Sequence, residues 1–559
     1  MRKLLIIFAL VIGAALIYTL IRQSSNRAAG WNTVLPLSSE KVRYFFSPAS
    51  GENAFSQVDI THFQIKLKGS LFNSLQTEAL DTIPAGNRVL LTLTSWGSFG
   101  FSLTGKTVLE DIYMGNQDEA IIELCTRVLK DNPDILLRWN PEMEVPANRF
   151  PWQNSPFGYI RAHRHLDSLL NVHAPGTKLI WAPAGYPGTP EFWPGDDVVD
   201  FISITLNSKS EEKVDAYPQP SSAGVELKRK LHRLRFFNEP VLVLSRGEMD
   251  LPEEETSRIM QERNTHKDLY TSPEAQRINP RDSLLIGLYD PEERLISHSK
   301  VDVEHVFTDF ESIGDGTFSD GLTETSSRGH ALIVTLEPMF PSEPEKDRTV
   351  LDKVLAGKYD SLFGNFFDQL SSFKGRIFLR FAHEMEIPIQ RYPWQSQDPV
   401  KYIDAFRYFM KMARERRPGI IRVWGPAGDR GSLEWYPGDD YVDFISIAIY
   451  GLPDKNITDP DKQESFETIY NRKYRRMRFA EKPVFITEFG VKGPEDYQNE
   501  WLSRASQVIN EKTEIIGINY FNMVDNPDVW GEGMKAPDWS LTKQTWTNFT
   551  EAISSGRSG

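Results

Sequence analysis

Two glutamates in the second half of the chain have the type and the setting needed to act together on one bond. Glu384 follows the apolar run Arg376–Phe381, and Glu488 follows the run Val484–Thr487. Two carboxyl groups about 5 Å apart can cleave a glycosidic bond with retention, because one protonates the leaving oxygen while the other attacks the sugar carbon. Their mutual repulsion also separates their pKa values, so one stays protonated as the acid. A single glutamate is more often an ion-pair partner, so this hypothesis depends on the elements that position the pair.

The runs around these glutamates predict a (β/α)8 barrel. Short apolar, β-branched segments alternate with helical stretches, which is typical of parallel strands with helical crossovers. In this fold the active site forms at the C-terminal ends of the strands, where Glu384 (strand four) and Glu488 (strand seven) are placed. Asp443 and Asp200 begin a sixth strand in their halves and are predicted to be structural. The eight predicted strands of the second half are Ser283–Tyr289, Val303–Phe310, Ala331–Leu336, Arg376–Phe381, Ile420–Trp424, Phe444–Tyr450, Val484–Thr487 and Ile515–Phe521. Predicted helices between them include Lys358–Leu370, Val400–Glu415 and Asn499–Asn510.

The same pattern occurs twice along the chain. Leu137-Arg-Trp-Asn-Pro-Glu-Met-Glu144 resembles Leu379-Arg-Phe-Ala-His-Glu-Met-Glu386, and Val199-Asp-Phe-Ile-Ser-Ile204 recurs as Val442-Asp-Phe-Ile-Ser-Ile447. The offsets are nearly constant, at 243 residues from Asp59 to Asp302, 242 from Glu142 to Glu384 and 243 from Asp200 to Asp443. A unit of roughly 240 residues is the length of one (β/α)8 barrel, so the sequence predicts a tandem duplication.

The first copy lacks part of the chemistry that the second carries. At the matched positions it has Pro141 for His383, Asn207 for Tyr450 and Ser245 for Glu488, while Glu142, Trp152 and Trp181 are kept. Without a nucleophilic carboxylate the double-displacement route fails, so this copy is predicted to be non-catalytic. Its kept tryptophans could bind glycan or could simply pack. It shows seven comparable strands, and we expect the barrel to be incomplete or closed by another segment.

The motifs of the second copy resemble glycoside hydrolase family 26, which contains β-mannanases and β-1,3-1,4-glucanases. The resemblance covers about residues 283–550 and recurs, weakened, over about 40–265. Its third strand fits Leu332-Ile-Val-Thr-Leu-Glu-Pro338. The other motifs that carry it are Arg380-Phe-Ala-His-Glu-Met385, Tyr392-Pro-Trp394, Trp424-Gly-Pro426, Tyr436-Pro-Gly-Asp-Asp440, Val442-Asp-Phe-Ile-Ser-Ile447 with Tyr450, and Ile486-Thr-Glu-Phe-Gly490.

This resemblance implies a role for each matched residue. Glu384 would be the acid/base and Glu488 the nucleophile. The implied substrate-binding residues are His383, which would shape the cleavage subsite, Trp394 and Trp424, which would offer stacking surfaces, Tyr450, which would hydrogen-bond the nucleophile, and Trp530, which would cap a subsite. One departure is Glu386-Ile387, where the family usually has Asn-Gly. This difference leaves the two glutamates intact and bears on the substrate subsite near them. The sequence around Glu384 resembles that of the glucanase-type members more than that of the mannanases.

Composition and the N-terminus bound the setting in which this chemistry would take place. The net charge of −14 argues against a nucleic-acid partner, because phosphate binding needs clustered basic residues. Cys125 is the one cysteine, so no internal disulfide can form, and its helical setting predicts a buried core residue. Residues 4–20 form an apolar run near the lower length limit of a membrane span, with Arg2 and Lys3 before it. We expect an uncleaved signal anchor, with a cleaved signal peptide as the alternative, and the rest of the chain outside the cytoplasm.

The sequence therefore predicts two tandem (β/α)8 barrels after an N-terminal transmembrane segment. The predicted boundaries are 1–29 for the anchor, 30–265 for the degenerate barrel, 266–281 for the linker and 282–555 for the catalytic barrel. The predicted function is that of a retaining endo-β-glycanase acting on β-glucan or β-mannan polysaccharide, without a cofactor or metal ion. Two alternatives stay open: a non-catalytic polysaccharide-binding or assembly factor, and trimming of the cell's own exopolysaccharide by the same residues.

Overall fold

The chain divides into two compact units that meet in the sequence at His266 and Lys267. The computed structural model describes residues 30–32, 41–47, 58–68, 89–96, 107–207, 222–246, 254–255, 258–259, 284–343, 345–452, 464–527 and 535–556. Within these ranges no helix is both long and apolar enough to cross a bilayer. The predicted anchor at 4–20 and the predicted linker at 266–281 lie outside the described residues.

The first unit is built on a ring of paired strands. Its strands are β1 (Gly30–Asn32), β2 (Lys41–Ser47), β3 (Val58–Lys68), β4 (Val89–Ser95), β5 (Ile135–Trp139), β6 (Lys178–Trp181), β7 (Phe201–Asn207) and β8 (Val241–Arg246). Strands β3 to β8 pair in parallel and in order, whereas β2 pairs antiparallel with both β3 and β8. Strand β1 adds to the edge of β3. Its described helices of at least six residues are α1 (Val108–Tyr113), α2 (Asp118–Leu124), α3 (Pro156–His173) and α4 (Ala223–Arg233).

This arrangement differs from a regular (β/α)8 barrel and agrees with the expectation that the first barrel is closed by another segment. Among the described residues the ring holds six parallel strands and one antiparallel strand. The reason is that β2 alone bridges β8 and β3, and thereby closes the gap with a single strand. Cys125 lies in a π-helical turn after α2 and is fully buried, as predicted, and burial raises the pKa of its thiol to about 11.

The second unit is a closed barrel of eight parallel strands, which confirms the prediction for this half. Its strands are β9 (Leu285–Tyr289), β10 (Val303–Asp309), β11 (Ala331–Glu337), β12 (Ile377–Phe381), β13 (Ile421–Trp424), β14 (Phe444–Gly451), β15 (Val484–Val491) and β16 (Ile515–Phe521). Its described helices are α5 (Phe310–Asp315), α6 (Thr317–Arg328), α7 (Val350–Leu355), α8 (Asp360–Leu370), α9 (Pro399–Arg416), α10 (Phe466–Arg476), α11 (Glu495–Glu511) and α12 (Lys543–Gly556). Parallel pairing aligns all eight strand C-termini at one mouth.

Local sequence signals fix where several of these helices begin. Thr107 and Glu110 form a capping box at α1, in which each side chain accepts from the backbone N–H of the other. At α9 the Asp398 carboxylate accepts from two backbone N–H groups, and Pro399 occupies the first helical position. Both devices satisfy N–H groups that have no partner inside the helix, and a cap of this kind is worth about 1 kcal/mol.

The interior of the second barrel changes from apolar to polar towards the mouth. Its lower part is a buried cluster with one residue from each of the strands β10 to β16: Val303, Ile333, Phe378, Val423, Phe444, Phe485 and Ile516. Two residues further along the strands, His305 hydrogen-bonds Thr335 at 2.8 Å, and Arg380 donates to the same threonine at 3.2 Å. Side chains of alternate residues point to the same face of a strand, so the next inward residues reach the mouth. A polar layer therefore lies between the apolar layer and the residues at the mouth.

His163 makes the stability of the first unit depend on pH. The residue is fully buried on α3, neither ring nitrogen has a hydrogen-bond partner, and burial lowers its pKa to about 3. Between that value and the ordinary pKa of 6.5, the unfolded chain binds a proton that the folded unit does not. Stability should therefore fall by about 1.4 kcal/mol for each pH unit below about 6.5. His163→Phe is expected to remove this loss in urea unfolding of the first unit at pH 7 and pH 5. His173→Gln, on the same helix, should keep it, and equal pH slopes in His163→Phe and wild type would contradict the assignment.

Candidate active site

Glu384 is held at the mouth of the second barrel by a strained turn after β12. Its backbone has φ +53°, in the left-handed region that residues other than glycine rarely adopt. The Glu384 N–H donates to the Gly425 carbonyl at 2.8 Å, and the Gln395 amide donates to the Glu384 carbonyl at 3.0 Å. Such strain persists only where surrounding contacts over-determine the backbone, and it concentrates at functional sites. The residue is half-buried.

Glu488 lies inside β15, four residues beyond its first residue, because this strand continues past the predicted end to Val491. Its carboxylate is buried and accepts two hydrogen bonds. Arg380 donates through Nη2 to Oε1 at 2.9 Å, and the Tyr450 hydroxyl donates to Oε2 at 3.2 Å. The guanidinium is itself buried, so it compensates the carboxylate charge where water cannot. Both oxygens of Glu488 are thereby fixed in direction.

The two glutamates interact electrostatically. Burial raises the pKa of Glu384 to about 8, and repulsion from Glu488 is the next contribution. Arg391 and Arg380 oppose this shift without cancelling it. Glu384 is therefore mostly protonated at neutral pH, while Glu488 is held beside a fixed cation. One carboxyl can donate a proton and the other can attack, which is the division of labour that two-carboxyl catalysis needs.

Glu337 is a third carboxyl at the mouth, and no role was predicted for it. It is the last residue of β11, and its Oε1 lies 3.9 Å from Nε2 of His383. Burial raises its pKa to about 7, partly offset by a hydrogen bond from Tyr392. It borders a cavity of ≈ 730 Å³, a volume typical of ligand sites. Among the residues that line this cavity are Met339, Lys353, Arg391, Tyr392 and Asn526. The rule that strand ends carry function would have selected Glu337, since it ends strand three.

Replacing Glu337 with glutamine should separate its titration from that of Glu384. Glutamine keeps the shape but stays neutral, so an ionisation near pH 7 should disappear from the profile of kcat/KM, while the one near pH 8 stays. The loss of a charged hydrogen-bond acceptor should also lower kcat/KM about 10-fold, mainly through KM. Profiles from pH 5 to 9 for Glu337→Gln and for Glu500→Gln, an exposed carboxylate on α11, would measure this. An unchanged profile in Glu337→Gln would remove Glu337 from the site.

Several of the predicted substrate-binding residues are placed differently from the prediction. Trp394 and Trp424 are fully buried, so they cannot offer ring faces to a sugar, and this part of the prediction is wrong. The reason for Trp394 is that its indole N–H donates to the His383 carbonyl at 2.7 Å, which anchors the turn before Glu384. Tyr392, stacked on Trp394 at 4.7 Å, is the half-buried ring of that motif. Trp530 lies outside the described residues.

His383 lies at the site but underneath its surface. Its side chain is 2% exposed, and burial together with Arg380 lowers its pKa well below the ordinary value. Its ring packs against Phe307 and Tyr392, with centroids 5.8 and 5.1 Å away. A neutral, packed histidine beside Glu337 supports the shape of the mouth from below.

Glu386, which stands where the family usually has asparagine, holds the loop after β13. Its Oε1 accepts from the backbone N–H groups of Gly428 and Asp429 and from the Ser432 hydroxyl, at 2.9, 3.1 and 2.7 Å. The carboxylate therefore caps the loop after β13. Asp443 is structural, as predicted, because it accepts from the Arg422 backbone and guanidinium at the start of strand six.

The first unit has a similar hydrogen-bonded frame around Glu142. Glu142 also has positive φ, +62°, and its N–H donates to the Ala182 carbonyl at 2.8 Å. Glu144 accepts from the Tyr186 N–H and the Thr189 hydroxyl, as Glu386 does from its own loop. Pairs of hydrogen bonds at matched positions have similar lengths. They are His62–Thr92 with His305–Thr335, both 2.8 Å, and Trp152–Pro141 with Trp394–His383, 2.8 and 2.7 Å. Trp152 and Trp181 are fully buried, so they pack and do not bind glycan.

Part of the chain is similar in sequence to proteins whose names describe β-glycan-cleaving enzymes. No protein-family model matches the chain. It is 25% identical over 277 residues to endoglucanase H of Acetivibrio thermocellus, covering 46% of this chain and 28% of that protein. It is 25% identical over 157 residues to the β-1,3-xylanase TXYA of a Vibrio species, covering 26% and 30%. The matches thus span less than a third of these relatives.

Comparison with solved structures finds similar chains as well. The structure of GH26C from Muricauda sp. MAR_2010_75 shares 14% identity, covers 49% of this chain and 86% of that chain, and has a TM-score of 0.37. Part of this chain is thus similar to proteins named endoglucanase and β-1,3-xylanase, and a structure named as a family 26 protein is among its structural matches.

Proposed function

We propose that the second unit is a retaining endo-β-glycanase of the family 26 type. The observation that carries the proposal is the pair formed by Glu384 and Glu488. One carboxyl is kept protonated by burial and by repulsion from the other, while the second is held by Arg380 and Tyr450. Both side chains come from strand C-termini at one barrel mouth, where catalytic groups of this fold reside.

The geometry accounts for a double displacement. In the first step Glu488 attacks the anomeric carbon and forms a glycosyl ester, while Glu384 gives its proton to the leaving glycosidic oxygen. In the second step the ionised Glu384 takes a proton from water, and the resulting hydroxide displaces Glu488 from the sugar. Arg380 and Tyr450 orient the attacking carboxylate. The loss of charge from Glu488 in the ester removes the repulsion that raised the pKa of Glu384, which favours its switch from acid to base.

The substrate class we propose is a β-linked polysaccharide of glucan or mannan type. The similarity to proteins named endoglucanase and β-1,3-xylanase supports a β-linked backbone. The cavity beside Glu337 supports the binding of sugar rings next to the cleaved bond, since its lining combines carboxylate, ammonium and phenol groups with apolar side chains such as Met339 and Phe340.

We further propose that the first unit is a degenerate copy produced by duplication, and that it does not hydrolyse glycan. The matched hydrogen bonds around Glu142 and Glu384 support a common origin. Residues 4–20 would anchor the chain, with both units outside the cytoplasm, where large polysaccharides are found. Acting there, the enzyme could also trim the cell's own exopolysaccharide.

A substrate panel tests the function directly. The full chain would be incubated with mixed-linkage glucan, mannan, β-1,3-xylan and bacterial exopolysaccharides, and released reducing ends would be measured. We expect turnover of at least one β-linked polymer, with proton NMR showing a β-configured first product. Binding to a polymer without turnover of any would favour the alternative of a binding or assembly factor. A first product of α configuration would contradict retention.

A further inference from the structure

The first unit carries an aromatic surface at positions where the second unit lines its cavity. Trp96 stands at the position of Met339, and Phe150 at the position of Tyr392, with offsets of 243 and 242 residues. Met339 and Tyr392 both line the ≈ 730 Å³ cavity of the second unit. The substitutions place a tryptophan and a phenylalanine on the corresponding wall of the first unit. The sequence motifs did not single out Trp96 because it has no counterpart of its own type in the second copy.

Both rings are half-buried and firmly supported. Phe150 stacks on the fully buried Trp152 with centroids 4.7 Å apart and planes 2° from parallel. Trp96 meets this stack edge-on, 6.0 Å from Phe150 and 5.5 Å from Trp152. Its indole N–H donates to Thr94 at 3.1 Å, and the Lys66 ammonium lies 5.1 Å from its ring centroid. The exposed ring surface is thus rigid before any ligand arrives.

The residue differences between the two units follow a pattern. Positions that carry chemistry in the second unit become inert, as at Pro141, Asn207 and Ser245. The cavity wall, in contrast, becomes more aromatic. Exposing part of a tryptophan costs hydrophobic free energy, so loss of catalysis alone gives no reason to acquire one here. Rigid aromatic faces with a few polar groups suit the apolar C–H face of a sugar ring. Glu142 lies on the same loop as Phe150, tied to it through Gln153, and supplies a half-buried carboxyl that can accept from sugar hydroxyls.

We propose that the mouth of the first unit is a non-hydrolytic binding site for a β-linked oligosaccharide, with Trp96 and Phe150 as its stacking surface and Glu142 as a polar contact. This inference rests on the proposed function only for the class of ligand, namely the polymer that the second unit would cleave. A second site on the same chain would raise the local concentration of that polymer at the catalytic unit.

Calorimetric titration of the full chain carrying Glu488→Ala tests this site, because that change stops hydrolysis and leaves both units present. The probes are cellohexaose, mannohexaose and β-1,3-xylohexaose. With the matching probe we expect two sites per chain, and one site after Trp96→Ala is added. Trp96→Phe should restore the second site at reduced affinity, which a purely structural role for the indole would not explain. Phe157→Ala, which removes an exposed ring from α3 of the same unit, should keep both sites.

The outcomes separate this inference from the proposed function. If a folded Trp96→Ala variant keeps the number of sites and their affinities, or if none of the three probes shows a Trp96-dependent site, the binding site in the first unit is refuted. If the wild-type chain cleaves nothing while a Trp96-dependent site is measured, the catalytic proposal fails and this one stands. Thermal unfolding of each variant shows whether a lost site reflects a lost fold.

Discussion

The Glu488→Ala variant is expected to lose activity on β-linked polysaccharide by a factor on the order of 10⁴–10⁶. The reason is that Glu488 would form the bond to the sugar, and its two carboxylate oxygens are held in place for this by Arg380 and Tyr450. The variant should bind substrate nearly as well as wild type, because the change removes bond formation and leaves the cavity walls in place. Initial rates at saturating substrate would measure the loss in kcat.

External azide makes this prediction specific. A small anion can enter the space of the missing carboxylate and attack the anomeric carbon once, so turnover of an aryl β-glycoside should return with azide. The product should be an α-glycosyl azide, because a single displacement inverts the configuration. Asp368→Asn, which changes an exposed carboxylate on α8, should retain full activity without azide. Residual activity in Glu488→Ala above about a hundredth of wild type would show that another group is the nucleophile.

Glu384→Ala is expected to lose activity in a way that depends on the leaving group. Cleavage of polysaccharide should fall about 10³-fold or more, because the poor leaving oxygen needs a proton. Formation of the glycosyl ester from a dinitrophenyl β-glycoside should stay fast, since that leaving group departs without protonation. In wild type, kcat/KM for polysaccharide should fall tenfold per pH unit above the pKa of about 8, as the acid loses its proton, in addition to the change caused by the Glu337 ionisation near pH 7. In Glu384→Ala the residual cleavage of polysaccharide should lack this alkaline limb.

The same pKa gives a stability test with the opposite sign from a paired surface carboxylate. A folded-state pKa above the ordinary value means that the folded chain holds a proton which the unfolded chain releases. Stability contributed at this position is therefore lost as pH rises towards 8, and Glu384→Gln should be more stable than wild type at pH 8 but not at pH 4. An alkaline limb that persists in Glu384→Ala, together with unchanged stability at pH 8, would remove Glu384 as the acid.

The sequence was sufficient to place Glu384 and Glu488 at the barrel mouth because the strand pattern predicts where each strand runs. Glu384 follows the end of β12 and Glu488 lies in the C-terminal half of β15, and a closed parallel barrel brings all strand C-termini to one mouth. The same rule separated them correctly from Asp443, at a strand start. The role of Arg380 was not predicted. An arginine inside an apolar strand run needs a carboxylate partner when it is buried, and in the structure Glu488 is that partner.

The tryptophan assignments failed for a physical reason. Whether an indole faces a ligand or the core depends on its rotamer and on the hydrogen bond of its N–H. Residue type predicts neither of these. The Trp394 N–H donates to the carbonyl of the residue before Glu384. The ring is therefore buried, and Tyr392 is the more exposed ring of the motif. Glu386, only two residues from Glu384, accepts hydrogen bonds from the next loop, a difference that residue type does not predict. The antiparallel strand that closes the first ring depends on long-range pairing, which alternation cannot reveal.

The left-handed turn that both units share bears on how readily catalysis could be gained or lost. Glu142 has the conformation and the hydrogen-bonded frame of Glu384, although Pro141 stands before it where the second unit has His383. The turn therefore does not require the catalytic pair proposed for the second unit. Under the proposed duplication, a unit could lose or regain residues such as those at 141, 207 and 245 without giving up this turn.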